Sequence, residues 1–137
     1  MGSEMCIRDS SSNSTVFEAD LLVTDWSGIA YEYAFTTKKP VLFVDTPMKV
    51  MNPEYQKIDT VPINIWMRDV IGDRLDPAKT EETESKVRNL LEQKDAYHDR
   101  IEKFVEEYVY NLGNSAEVGA KYIVQAVQEQ IKKAKEQ

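Results

Sequence analysis

A chain of 137 residues, 42% apolar and 30% charged, can form one domain with a real core, or a piece of a larger one. Its net charge of −7 is shared by both halves, with 5 Lys or Arg against 9 Asp or Glu in residues 1–60 and 12 against 15 beyond; no basic stripe favours nucleic acid, so an anionic ligand must be held by helix ends and backbone. No run of 18 apolar residues offers a membrane span, the single Cys6 excludes an internal disulfide and cysteine-based zinc, and the single His98 removes most histidine-dependent metal sites, so the chain reads as intracellular and no metal or cofactor is expected.

Residues 1–14, "MGSEMCIRDSSSNS", are polar and serine-rich and lack the apolar run of a signal peptide. They read as a non-native or disordered leader, set aside from the fold, with the natural protein expected to continue upstream. "ADLLVT" (19–24) is a short apolar run ending in polar turn residues, which suits a strand buried on both faces. "SGIAYEYAFTT" (27–37) follows at helical spacing, with Ile29, Ala30, Tyr33 and Ala34 facing inward. Lys38-Lys39-Pro40 stops that helix, because the residue before proline avoids helical geometry, and "PVLFVD" (40–45) is a second buried strand. Strand, helix and strand in so short a span predict a right-handed crossover in a parallel sheet, with 20–24 and 41–44 adjacent.

Residues 46–62 carry three prolines and no sustained period, and they predict a long loop with one helical turn. Beyond the carboxyl end of a strand, such a loop should share a rim with the turn after the first strand, where open α/β sheets put their ligands. "INIWMRDVIGDRL" (63–75) fits a strand or a short helix. Asp76-Pro77 predicts a helix start, and the remainder is helical, with one apolar stripe at Val87, Leu90 and Leu91 and another at Tyr97, Ile101, Phe104, Val105 and Tyr108. "NLGN" breaks the pattern; Asn114 with Glu117 resembles a capping box, opening a helix whose apolar side is Val118, Tyr122, Ile123, Ala126, Val127 and Ile131. The fold class is α/β, a parallel sheet of two predicted strands followed by C-terminal helices, with further strands expected upstream.

The stretch "LLVTDWSGIAYEYAF" (21–35) turns from strand to helix through small polar residues and a glycine, with a glutamate inside the helix. Two readings fit it. In one, Thr24, Asp25 and Ser27 cap a buried helix and Gly28 eases close packing. In the other, the first N–H groups of the helix face a phosphate, Ser27 adds a donor and Gly28 leaves room for the ligand. Glu32, about one turn deeper, then accepts from two vicinal ribose hydroxyls. Among the nearby cations, Lys38 and Lys39 close a helix at its negative end, and Lys49 is the one expected to touch a ligand; Lys57 and Arg68 are the others. Trp26 and Trp66 read as core or cleft wall, His98 as a solvated surface residue, and the terminal "IKKAKEQ" as a solvated helix end.

Thr24-Asp25-Trp26-Ser27-Gly28, then Ile29-Ala30-Tyr31, then Glu32, with Lys39-Pro40 before "VLFVD", resembles the CDP-glycerol:poly(glycerophosphate) glycerophosphotransferases of teichoic-acid synthesis. "YNLGNSAEVGAKYI" (110–123) resembles the family's Asn-x-Gly-x-Ser stretch, and the resemblance covers roughly residues 16–125. It implies a GT-B architecture, two Rossmann-like halves around a cleft, of which residues 15–137 are the C-terminal, donor-binding part. Ser27 and Gly28 match the phosphate-contacting pair, with Gly28 in place of the more usual second serine. Glu32 matches a ribose-contacting residue usually written as Asp. The implied donor is CDP-glycerol or a related CDP-polyol, and the acceptor is a polymer or lipid-linked chain engaged through the missing half. The catalytic histidines are expected there too, which would leave this part alone inactive. The implied location is the inner face of the cell membrane, with peripheral contact. Two rivals stay open: a GT-B transferase or epimerase of UDP-sugars, and a non-catalytic flavodoxin-like binding module.

Overall fold

A computed structural model describes residues 14–48 and 54–135. Three short strands, β1 (Leu22–Thr24), β2 (Val41–Val44) and β3 (Gly72–Leu75), form a parallel sheet in that order. Leu22 lies opposite Val41, and Val41 opposite Gly72. The helix α2 (Ile29–Thr37) connects β1 to β2, so the expected strand–helix–strand unit is present with its two strands adjacent and parallel. A short helix, α1 (Ser14–Glu18), precedes β1 and packs on α2.

Val41, Leu42 and Phe43 are all fully buried, as a continuous apolar run requires of a central strand covered on both faces. α2 contributes Ala30, Tyr33 and Ala34 to this core, while Ile29, expected inside, is half-buried. The Tyr33 hydroxyl donates to the Ala19 carbonyl at 2.9 Å, and burial pushes its pKa up to about 12. Lys38 ends α2 in the left-handed region (φ 58°), its N–H bonded to the Ala34 carbonyl at 2.9 Å and its Nζ to the Phe35 carbonyl. That is the helix-closing role expected of it. Lys39 instead reaches back to the Ala19 carbonyl at 2.7 Å.

The ambiguous 63–75 segment contains both alternatives: α3 (Ile63–Trp66), α4 (Arg68–Ile71) and then β3. The expectation of two strands is therefore corrected to three. β3 is short and carries Asp73 and Arg74 on half-exposed or exposed positions, so it lacks the apolar run that marked the other strands. Gly72 permits its close approach: a Cβ there would sit 1.8 Å from the Val41 carbonyl oxygen.

Asp76-Pro77 does not open a helix. Asp76 Oδ1 accepts from the Ala78 N–H at 2.9 Å, closing a local turn, and α5 (Thr83–Glu92) starts six residues beyond Pro77 after a 3-10 turn at Thr80–Glu82. α5 packs on β2 and β3, buries Leu90 and ties Lys86 Nζ to Asp73 Oδ2 at 2.9 Å, while Leu91 is exposed. α6 (Lys94–Tyr108) buries Tyr97 and Ile101, and the Tyr97 hydroxyl approaches the Gly72 carbonyl at 3.4 Å.

The chain divides into two compact units, one up to Lys103 and one from Phe104 onward. In the second, the Phe104 and Tyr108 rings stack with centroids 4.7 Å apart, and Asn111 (φ 57°) and Gly113 (φ 85°) make the turn expected at "NLGN". α7 (Ser115–Lys135) follows. Its Glu117 bonds Lys121 Nζ at 2.7 Å, one turn forward, instead of reaching back to Asn114 as a capping box would. The apolar side expected of α7 exists, but Tyr122, Ile123, Val127 and Ile131 are all at least half exposed. Among the described residues no helix is long and apolar enough to cross a membrane, and no group of His, Cys, Asp and Glu could hold a metal ion.

Candidate functional site

Parallel strands bring their carboxyl ends to one rim, here Thr24, Val44 and Leu75. Thr24, half-buried opposite Phe43, is the last residue of β1. Asp25 Oδ1 then accepts from the Ser27 N–H at 3.1 Å, a self-closed turn that swings the chain from strand to helix. Ser27 and Gly28 are exposed. Gly28 is the N-cap of α2, in helical geometry (φ −61°, ψ −22°) and with no side-chain cap hydrogen bond. The Ala30 and Tyr31 N–H groups bond the Ser27 and Gly28 carbonyls at 3.3 and 3.1 Å. The N–H groups of Gly28 and Ile29 find no acceptor among the described residues.

Capping by Thr24, Asp25 and Ser27 is thus mostly not what these residues do. Only Asp25 bonds a backbone N–H, and that bond lies before the helix. Packing does not demand Gly28 either, since a Cβ there would meet nothing within 4 Å. Glu32 stands exposed in the first turn of α2, on the face of Gly28 and about 6 Å further along the axis. Its carboxylate has no partner among the described residues. Lys49 lies outside the described residues.

The two loops expected to share this rim do so where both are described. The Trp26 Nε1–H donates to the Thr46 carbonyl at 2.7 Å, joining the turn after β1 to the loop after β2. Met48 is exposed, and the rest of the Met48–Asn52 stretch is not described. Tyr31, on the first turn of α2, donates its hydroxyl to the Asn64 carbonyl at 3.1 Å, where the chain returns in α3.

Beneath the rim lies Arg68, fully buried. Its guanidinium sits 3.8 Å from the Trp26 ring centroid and 4.7 Å from that of Phe43, a cation between two aromatic rings. Arg68 Nη2 and Asp45 Oδ1 are 2.9 Å apart, yet no N–H is aligned on that oxygen, so the contact is an ion pair without a hydrogen bond. Asp45 is shared, its other oxygen lying 3.2 Å from Arg74 Nε. Burial raises the Tyr31 hydroxyl pKa and the Arg68 charge counteracts it, which puts Arg68 close enough to be felt in α2. From the sequence alone Arg68 is only one cation among five. The signal available was an arginine enclosed by the apolar run "INIWMRDVIG". Lys57 pairs locally with Glu54, and His98 is exposed beside Asp99, away from this chemistry.

A three-stranded parallel sheet with an α/β crossover, and an uncapped helix start on its carboxyl rim, define an α/β protein with a partial Rossmann-like fold. The chain belongs to the CDP-glycerol:poly(glycerophosphate) glycerophosphotransferase family, whose model matches residues 4–127. No curated protein and no solved structure matches it significantly.

Proposed function

We propose that the rim at the start of α2 holds the diphosphate of a CDP-linked polyol, CDP-glycerol in the first instance, as the donor-binding part of a GT-B transferase. The N–H groups of Gly28 and Ile29, pointing out of the positive end of a nine-residue helix, are the phosphate ligands. Ser27 adds a hydroxyl, Thr24 and Asp25 set the turn, and Glu32 accepts from the two ribose hydroxyls. Lys49 is assigned to the same ligand from its position in the sequence, five residues after Val44. The observation that carries this reading is the pair of unpartnered N–H groups with a partnerless carboxylate one turn further on.

The chemistry follows from the donor. An acceptor hydroxyl attacks the β-phosphorus, the bond from that phosphorus to the bridging oxygen breaks, and CMP leaves with the electron pair. The hydroxyl proton passes to a general base assigned to a second half of the enzyme. Charge developing on the phosphoryl oxygens is met by Ser27 and the helix start, already oriented and needing no rearrangement. The product is a cell-wall polymer of the teichoic-acid kind, one glycerol phosphate longer, made at the inner face of the cell membrane.

Calorimetric titration of CDP, CMP, 2′-deoxy-CDP and UDP-GlcNAc tests the reading. CDP should bind more tightly than CMP, the deoxy analogue more weakly than CDP, and UDP-GlcNAc worst. No binding of CDP to a folded sample would overturn it, and preference for UDP-GlcNAc would reassign the donor.

A further inference from the structure

From Leu21 to Thr37 the only charged residues are Asp25 and Glu32, both negative. An anion brought to the Ser27–Gly28 turn therefore meets two carboxylates on the element that binds it. The compensating charge comes from underneath. Arg68 lies against Trp26, the residue before Ser27, and its charge reaches Tyr31 on the far side of the turn. Its nearest counter-charge, Asp45, is divided between two arginines, Arg68 and Arg74. Arg68 Nε and Nη1 have no acceptor among the described residues. Asp69 approaches Arg74 at 3.7 Å and does not offset Arg68 directly.

A buried arginine in this state is not explained by stability. Burying a cation costs several kcal/mol unless geometry and hydrogen bonds are excellent, and an apolar residue of similar volume is often as good or better. The rings of Trp26 and Phe43 recover part of that cost. They do not neutralise the charge. A charge held in low dielectric beneath a turn acts over longer range than the same charge in water.

We infer that Arg68 is a positioning residue for the anionic ligand of the α2 turn: shielded from solvent and never touching the ligand, it fixes Trp26 and sets a positive potential that favours more highly charged phosphates. This rests on the donor-site reading above. Arg68 acts by two routes, stacking under Trp26, whose indole N–H holds the Thr46 carbonyl, and countering Asp25 and Glu32. The ligand class it selects is a nucleoside diphosphate over a monophosphate or a nucleoside.

The test titrates cytidine, CMP and CDP into the wild-type chain, Arg68→Met and Asp45→Asn, with thermal melting alongside. Wild-type affinity should rise from cytidine to CDP. Arg68→Met should weaken CDP about tenfold more than cytidine, the scale of one charge acting through protein at an effective dielectric of about 20. Asp45→Asn leaves the shape nearly unchanged and removes counter-charge, so it should move the CDP-to-cytidine ratio the opposite way. A uniform loss for all three ligands in Arg68→Met, which a merely structural role predicts, would overturn the inference. If Arg68→Met does not fold, an unchanged ratio in Asp45→Asn overturns it alone. Wild type that fails to bind CDP refutes the donor site itself, whereas binding with unmoved ratios refutes only Arg68.

Discussion

At the scale of single residues, Glu32 separates a ligand contact from a surface charge. Replacing it by Gln keeps the shape but loses charge-assisted hydrogen bonds to both ribose hydroxyls. We expect about 1.5–3 kcal/mol of lost CDP binding, about ten- to a hundredfold, with no penalty left for the 2′-deoxy analogue and the melting temperature nearly unmoved. Equal CDP affinity in wild type and Glu32→Gln would reduce the carboxylate to a solvated charge. Tyr33 offers a test of the core beside it. Its hydroxyl titrates near pH 12 when folded against 10.0 ordinarily, because burial disfavours the phenolate. The fold therefore favours the neutral form, and its contribution to stability is complete below pH 10 and lost as the pH rises toward 12. Absorbance of tyrosinate should show a component titrating near pH 12 that is lost in Tyr33→Phe. Ser27, Gly28 and Glu32 could be proposed together from the sequence because their spacing is local. Arg68 was not, since its partners Trp26, Phe43 and Asp45 lie more than twenty residues away and no periodicity connects them.

Two glycines at the scale of elements make opposite predictions. Gly72 lets β3 lie against β2, and a methyl group there would collide with backbone that cannot swing aside. Gly72→Ala should cost more than about 2 kcal/mol in denaturant unfolding, since relief requires moving a strand. Gly28 faces open space in ordinary helical geometry. Gly28→Val should leave stability within about 1 kcal/mol while weakening CDP binding, because the branched side chain would occupy the ligand's approach. A stability loss at Gly28 matching that at Gly72 would return it to a packing role. β1, α2 and β2 could be read directly, from two apolar runs and a helical period that stops before Pro40, although β1, expected to be buried on both faces, leaves Val23 exposed. β3 could not, because tertiary pairing and not an apolar run makes "GDRL" a strand. Asp76 carried a helix-start residue type, yet its carboxylate closes a local turn; Asn114 does stand directly before α7, but Glu117 turns forward to Lys121 and leaves the capping box unclosed.

On the scale of the whole molecule, the family match spans residues 4–127, and the parallel sheet brings the carboxyl ends of its strands to one rim. The negative net charge suits the proposed anion site, which relies on backbone and one buried cation rather than on a basic surface. The most direct test is a titration of CDP followed in the amide spectrum of the 15N-labelled chain. The largest changes should fall on Ser27, Gly28, Ile29 and Glu32, with Trp26 Nε1 shifting beside them. A spectrum that does not move, or one whose changes centre on the α5 face around Val87 and Leu91, would contradict a nucleotide site at the start of α2.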